Sequence, residues 1–243
     1  MNVAIIGYGK MGREVEKMLA ARGHNVAMVI DAANVGELNP EKLRENAIEV
    51  ALEFSTPETA FGNIRICLDS AVAVVSGTTG WLARKTEIER LCGEKGGAFF
   101  YASNFSIGVN VFFKVNEFLA RMMNSFPAYD VTLEEIHHTQ KKDAPSGTAI
   151  TLAEGILAAI GRKEAWTGST TTEPHELEVL SVRRGDVIGT HEVTYESPAD
   201  RLTIRHEAKN RQGLALGAVL AAEYIRGRKG IFSMDDLLGI NRV

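Results

Sequence analysis

Val3-Ala4-Ile5-Ile6-Gly7-Tyr8-Gly9-Lys10-Met11-Gly12 opens the chain, and Val26-Ala27-Met28-Val29-Ile30-Asp31 follows it. The first four of these residues form an apolar run bounded by glycine, which reads as a buried parallel strand. Gly7-x-Gly9-x-x-Gly12 then leads into a helix-like run to Ala21, closed by Gly23. A second strand ends in Asp31, about 20 residues beyond the glycines. Gly7 permits a tight turn, Gly9 lets a pyrophosphate approach the backbone, and Gly12 lets helix and strand pack closely. The helix start offers free N–H groups and its positive dipole end to phosphate. Asp31 is placed to accept hydrogen bonds from ribose hydroxyls. Strand, glycines, helix, strand and acid together predict a dinucleotide site made of Gly7, Tyr8, Gly9, Lys10, Met11, Gly12 and Asp31.

Ala32 and Ala33 follow Asp31, where an NADP site usually sets a cation against the 2′-phosphate. Their presence favours NADH. Lys10 and Arg13 are near enough in sequence to serve a phosphate and read equally well as solvated cations, so use of NADPH stays open.

The alternation continues. Val50–Phe54 is a third strand, with Thr56 as cap and Pro57 as first residue of a helix to about Asp69. Val72–Ser76 is a fourth strand, ending in Gly77-Thr78-Thr79-Gly80. A helix over residues 85–94 and a fifth strand, Ala98–Tyr101, lead into Ala102-Ser103-Asn104-Phe105. Alternating β and α predicts a Rossmann-like, doubly wound parallel sheet of the α/β class. Ligands of such sheets lie beyond the carboxyl ends of the strands, which puts Gly77–Thr79 and Ala102–Phe105 against the cofactor.

The second half reads differently. A long amphipathic helix from Ile107 stops at Pro127, and a strand runs over residues 129–137. After a polar loop, a helix covers residues 147–160. Residues 163–176 read as an exposed loop. Three alternating runs at residues 178–184, 187–195 and 201–207, separated by Gly185-Asp186 and Ser197–Asp200, imply an antiparallel region. A helix over residues 214–226 and the run 231–238 close the chain. This predicts a dinucleotide-binding domain over residues 1–104 and an α+β domain over residues 105–211 with a mixed, largely antiparallel sheet. Residues 212–243 are expected to pack back on the first domain.

Composition narrows the partners. The 243 residues are 45% hydrophobic with a formal charge of −4, and no basic patch of the kind nucleic acid requires stands out. No apolar stretch approaches a membrane span. The N-terminus lacks the basic start and cleavage site of a signal peptide. Cys67 and Cys92, the only two cysteines, lack metal-ligand spacing and read as reduced, buried thiols. A cytoplasmic protein is expected.

Glu134-Glu135-Ile136-His137-His138-Thr139-Gln140-Lys141-Lys142-Asp143-Ala144-Pro145-Ser146-Gly147-Thr148 concentrates the remaining chemistry. His137 and His138 are protonatable near neutrality and would face opposite sides of a strand. Lys141 can donate a proton or fix a carboxylate. Ser146 caps a helix whose first N–H groups, at Gly147 and Thr148, form an anion site. Lys142 reads as a solvated charge and Asp143 as a brace through backbone hydrogen bonds. No metal is expected, since adjacent histidines lack i, i+4 spacing and no further His or Cys completes a set.

Gly7–Gly12, Gly77–Gly80, Asn104–Asn110 and the run from Glu135 to Ala149 resemble 4-hydroxy-tetrahydrodipicolinate (dihydrodipicolinate) reductases, as does Val182-Arg183-Arg184-Gly185-Asp186-Val187-Ile188-Gly189-x-His191. The resemblance covers essentially the whole chain. It implies His137 as catalytic acid/base and Lys141 as catalytic proton donor. It implies Thr79, His138, Lys141, Ser146, Gly147 and Thr148 as substrate contacts. Gly7–Gly12, Asp31, Gly77–Thr79, Ala102–Phe105 and Arg211 would contact NADH or NADPH. A homotetramer built from the second-domain sheet is also implied.

The chain departs from the family pattern in three places. Ala32 stands where many members carry Arg or Lys after the ribose acid. Thr139-Gln140 interrupts a run that is often His-Arg-His. The short segment 32–49 suggests that an outer strand is missing. The implied reaction is reduction of a cyclic, dianionic conjugated imine in the diaminopimelate route to lysine, with a proton from Lys141, His137 or water they hold. Another two-domain NAD(P) amino-acid or sugar dehydrogenase would share the first half without needing this loop. A non-catalytic NAD(H) sensor would keep only the glycines and Asp31.

Overall fold

The computed structural model describes residues 1–210 and 212–240. In chain order the elements are β1 (Asn2–Ile6), α1 (Lys10–Ala21), β2 (Asn25–Ile30), α2 (Pro40–Glu45), β3 (Val50–Glu53), α3 (Pro57–Asp69), β4 (Ala73–Ser76), α4 (Lys85–Lys95), β5 (Ala98–Tyr101) and α5 (Ile107–Met123). They continue as β6 (Asp130–His137), α6 (Gly147–Ala159), β7 (Ala165–Thr167), β8 (Glu176–Arg183), β9 (Gly189–Glu196), β10 (Arg201–Ala208), α7 (Gln212–Ile225), β11 (Gly230–Phe232) and α8 (Met234–Leu238). Two compact units result: Met1–Ile107 with Gln212–Val243, and Gly108–Arg211.

The first unit holds a six-stranded parallel sheet in the order β11-β5-β4-β3-β1-β2. Strand periodicity produces its two cores. Val3, Ile5, Val50 and Leu52 face Val15 and Leu19 of α1 and Ala218, Ala221 and Ala222 of α7. Ala4, Ile6, Ala51 and Val74 face Ile64 and Leu68 of α3 and Ile88 of α4. Both faces are covered, which is why these strands are written as continuous apolar runs. Thr56 caps α3 in a box with Thr59, and Pro57 takes the first helical position. Residues 32–49 contain a single 3-10 turn and α2, leaving β2 at the sheet edge. Cys67 and Cys92 are free and buried, and burial pushes the Cys67 thiol up to about 12.

α7 closes the first core because its small residues let it approach closely. A Cβ at Gly217 would come within 1.7 Å of the Phe105 carbonyl oxygen. Arg22, at the end of α1, donates to both Glu223 carboxylate oxygens at 2.7 and 2.8 Å.

The second unit holds a five-stranded mixed sheet in the order β10-β9-β6-β8-β7. Val131, Leu133, Val179, Val193 and Tyr195 form its core with Phe112 and Ala120 of α5 and Leu152 and Ile156 of α6. Two features differ from the sequence reading. Residues 163–176 are not wholly loop, because β7 lies parallel to the start of β8, pairing Ala165–Thr167 with Glu176–Glu178. Trp166, packed against the core, fixes it there. β8 and β9, joined across Gly185-Asp186, do not form a hairpin. β6 lies between them, parallel to β8 and antiparallel to β9. A turn signal reports that the chain reverses, not which strand becomes its neighbour. The turn straddles the end of β6: Arg184 N–H donates to His137 O at 2.8 Å and Thr139 N–H to Gly185 O at 3.1 Å.

Gly217→Ala is expected to lower stability by roughly 1–3 kcal/mol in urea unfolding, through overpacking against Phe105. Gly213→Ala, whose Cβ would find its nearest atom at 3.9 Å, is the matched control and should be neutral or stabilising.

Candidate active site

In the first unit the glycines meet the demands the motif makes. Gly7 has φ +94°, and a Cβ there would lie 2.1 Å from the Phe54 carbonyl oxygen. A Cβ at Gly12 would lie 2.2 Å from the Gly7 carbonyl oxygen. Gly9 has open space where its Cβ would be. α1 starts at Gly9 with no side-chain cap, so its first N–H groups are left for a phosphate. A cavity of about 540 Å³ extends from Gly7, Tyr8 and Gly9 past Asp31, Ala32 and Ala33 to Thr59 and Asn63. Its described lining carries no Lys or Arg. Asp31 Oδ1 accepts from Ala33 N–H at 2.8 Å, and Arg13 sits over the Tyr8 ring, 5.2 Å from its centroid.

A second cavity of about 320 Å³ is lined by Met11, Gly77, Thr78, Thr79, Ser103, Asn104 and Phe105, and shares Phe54 and Ser55 with the first. A buried carboxylate organises its wall. Glu53 accepts from Ser55 N–H at 3.0 Å, Ser76 Oγ at 2.7 Å and Thr78 Oγ1 at 3.0 Å, and also from Ser55 Oγ. The ends of β3 and β4 are thereby tied together.

In the second unit β6 places His137 on its buried face with Val131, Leu133 and Glu135, and leaves His138 half-buried on the other. Glu135 is fully buried. It accepts from Ser146 N–H at 3.0 and 3.1 Å, Ser181 Oγ at 2.8 Å and Arg183 at 3.1 Å. Burial pushes its carboxyl up, but donors from His191, Ser146, Ser181 and Arg183 outweigh that and hold it below the ordinary carboxylate range. His137 Nδ1 lies 3.4 Å from Glu135. Burial, aided by His191, Lys141 and Arg183, pushes the His137 imidazole down to about 4 despite the Glu135 charge, so the ring is neutral at pH 7. Ser146 caps α6, accepting from Ala149 N–H at 3.2 Å. A Cβ at Gly147 would meet nothing within 4 Å. Lys141 Nζ donates to both Asp143 oxygens at 2.8 Å. Asp143 is thus an ion-pair partner of Lys141, in addition to the backbone hydrogen bonds expected of it.

The sequence-predicted residues fall into two groups, one in each unit. Gly7, Tyr8, Gly9, Asp31, Met11, Gly77, Thr78, Thr79, Ser103, Asn104 and Phe105 line the two cavities. Lys10, Gly12 and Ala102 line neither. His137, His138, Lys141, Ser146, Gly147 and Thr148 share one strand end, loop and helix start. Arg211 lies outside the described residues. Phe54, Ser55, Glu53, Glu135, Ser181, Arg183 and His191 were not singled out. Phe54 and Ser55 stand at the end of β3, where the same strand-end rule would have found them. The expectation that nothing completes a metal set also needs correction, because donor atoms of Glu135, His137 and His191 lie within 4.8 Å of one another. Glu135 is nonetheless filled by N–H and O–H donors and paired with a guanidinium, a poor setting for a cation.

A parallel sheet with a glycine turn feeding a helix, followed by a mixed-sheet unit with a histidine–lysine loop, defines the class of two-unit dinucleotide-binding proteins. Residues 1–105 match the family described as "Dihydrodipicolinate reductase, N-terminus", and residues 108–238 match "Dihydrodipicolinate reductase, C-terminus". The chain belongs to the dihydrodipicolinate reductase family. It is 47% identical to a 4-hydroxy-tetrahydrodipicolinate reductase of Christiangramia forsetii, over 98% of each chain. A relative of the same name in Methanocaldococcus jannaschii is 35% identical over 91% of this chain and 85% of that one. A solved structure of dipicolinate-bound dihydrodipicolinate reductase from Paenisporosarcina sp. is similar with TM-score 0.75 and 26% identity, covering 96% of this chain and 97% of that one.

The folded His137 lies at about 4 against an ordinary 6.5, so unfolding takes up a proton between those values and stability falls as pH drops through that window. The depressed Glu135 acts in the same direction, at lower pH. Urea unfolding across the window should therefore show a shallower pH slope for His137→Gln than for the parent.

Proposed function

We propose that the chain reduces 4-hydroxy-tetrahydrodipicolinate to tetrahydrodipicolinate with NAD(P)H, in the diaminopimelate route to lysine. One observation carries this reading. Lys141, neutral His137 and the start of α6 share one loop, in a chain whose two halves both match this family. When bound, the nicotinamide supplies the hydride. The chain's own residues do the rest.

Gly7–Gly12 receive the pyrophosphate and Asp31 the ribose. Thr79 and Ala102–Phe105 frame the nicotinamide end, and Arg211 contributes to the same cofactor. Gly147, Thr148, Ser146, His138 and Lys141 hold the substrate carboxylates and so fix the orientation of the ring on their own loop. A hydride added to the conjugated imine leaves electron density that one proton quenches. His137 is neutral at working pH, so the Lys141 ammonium is the proton source and His137 Nε2 the group that passes a replacement proton. A dianionic substrate takes over the Lys141 charge from Asp143. Alanines after Asp31 favour NADH over NADPH, since no Lys or Arg lines that cavity and the nearby Arg13 is stacked on Tyr8.

We place the enzyme in the cytoplasm as a homotetramer. Val111, Val115, Phe118 and Met122 of α5 are 44–60% exposed and recur at helical spacing, a stripe suited to burial against another copy. Light scattering giving a monomer at micromolar concentration would remove that part.

Lys141→Ala should lower kcat by roughly 10²–10⁴-fold with an unchanged circular dichroism spectrum; near-normal turnover of freshly made substrate, followed by NADH absorbance, would sink the assignment. Ala32→Arg should raise kcat/KM with NADPH by roughly tenfold relative to NADH.

A further inference from the structure

Glu135 touches His137 and Ser146 directly and reaches Lys141 through Arg183 and Asp143. His137 Nδ1 faces it at 3.4 Å and is buried with no hydrogen-bond partner of its own. A nitrogen lone pair beside a buried carboxylate is repelled, whereas an N–H is attracted even off the line of a hydrogen bond. That contrast favours the neutral tautomer with its proton on Nδ1. The opposite nitrogen, Nε2, lies over Gly189, where a Cβ would come within 3.0 Å of it and 3.3 Å of Cδ2. Gly189 thus leaves the room this ring orientation needs.

The carboxylate reaches the other two parts through its donors. Ser146 N–H bonds both its oxygens, which fixes the residue that caps α6. Ser146 Oγ also meets His191 Nε2 at 3.2 Å, and that nitrogen stands 3.7 Å from Glu135. Arg183 bridges Glu135 and the Asp143 carbonyl oxygen, at 3.1 and 2.7 Å from the same nitrogen. Asp143 in turn holds Lys141. Charged and titratable groups from β6, β8, β9 and the loop, namely His137, Arg183, His191 and Lys141, all gather around one buried anion.

We infer that Glu135 is a positioning residue: it holds His137 with the proton on Nδ1 and Nε2 as the exchanging nitrogen, and it sets the α6 start and the Lys141 loop in register with that ring. Its effect on turnover rests on the proposed reduction; its effect on the ring does not.

The test reads both. Two-bond ¹H–¹⁵N spectra of the full chain labelled in histidine, at neutral pH and without ligand, report the tautomer of His137, whose signals are identified by their loss in His137→Gln. The parent should show the Nδ1–H form. Glu135→Gln should shift the ring toward the Nε2–H form and lower kcat by roughly 10- to 100-fold, and Glu135→Asp, which keeps the charge, should recover part of both. An Nε2–H ring in the parent overturns the inference whether or not any variant folds. So does a Glu135→Gln protein that melts earlier but keeps the parent tautomer and kcat, since Glu135 would then be structural only. A parent that shows the Nδ1–H ring but no turnover defeats the proposed reduction and leaves the positioning role standing.

Discussion

A carboxylate shut away from water persists as an anion only where donors take the place of the water. Glu135 is fully buried, and the geometry of the second unit's loop follows from how that demand is met. Three of its donors come from two places in the chain: a loop amide, and a hydroxyl and a guanidinium on β8. Each is held where the carboxylate needs it. His137, two residues later on the same strand face, would otherwise be an ordinary buried ring. Beside this anion it has a defined inner and outer nitrogen.

Glu53 solves the same problem in the first unit with neutral donors from Ser55, Ser76 and Thr78. The two carboxylates differ in what they organise. Glu53 ties strand ends into a cavity wall and meets no cation within hydrogen-bond reach among the described residues. Glu135 gathers groups that can exchange protons. In each unit the loops proposed to meet ligand therefore hang from a buried anion rather than from apolar packing alone. Such networks are demanding, since one lost donor leaves a charge unmet.

The first unit was legible because its signals are local. Four-residue apolar runs, the glycine turn and the Thr56-Pro57 helix start each specify their own conformation within a few residues. The positions of Gly77–Thr79 and Ser103–Phe105 in one cavity with Met11 follow from strand order alone. The proton-handling network was only half legible. His137, Lys141 and Ser146 are close in sequence and were singled out. Arg183, Ser181 and His191 reach Glu135 only because β6 inserts between β8 and β9, a non-local choice that turn residues do not encode. The Lys141–Asp143 pair was hidden for a related reason: charge pattern shows that a lysine and an aspartate are near, and only folded geometry shows that both carboxylate oxygens bind the ammonium.

The first unit is assembled from both ends of the chain, Met1–Ile107 and Gln212–Val243, whereas the second is continuous. Synthesis runs from N- to C-terminus, so the continuous unit is complete on the ribosome while the other still lacks α7 and β11. During that interval the apolar face later covered by α7 has no partner, and β5 presents an open edge for strand addition. The order of translation thus makes the dinucleotide-binding half, encoded first, the last to finish folding. Its closing steps are the arrival of an alanine-rich helix over the open face and of β11 along the β5 edge.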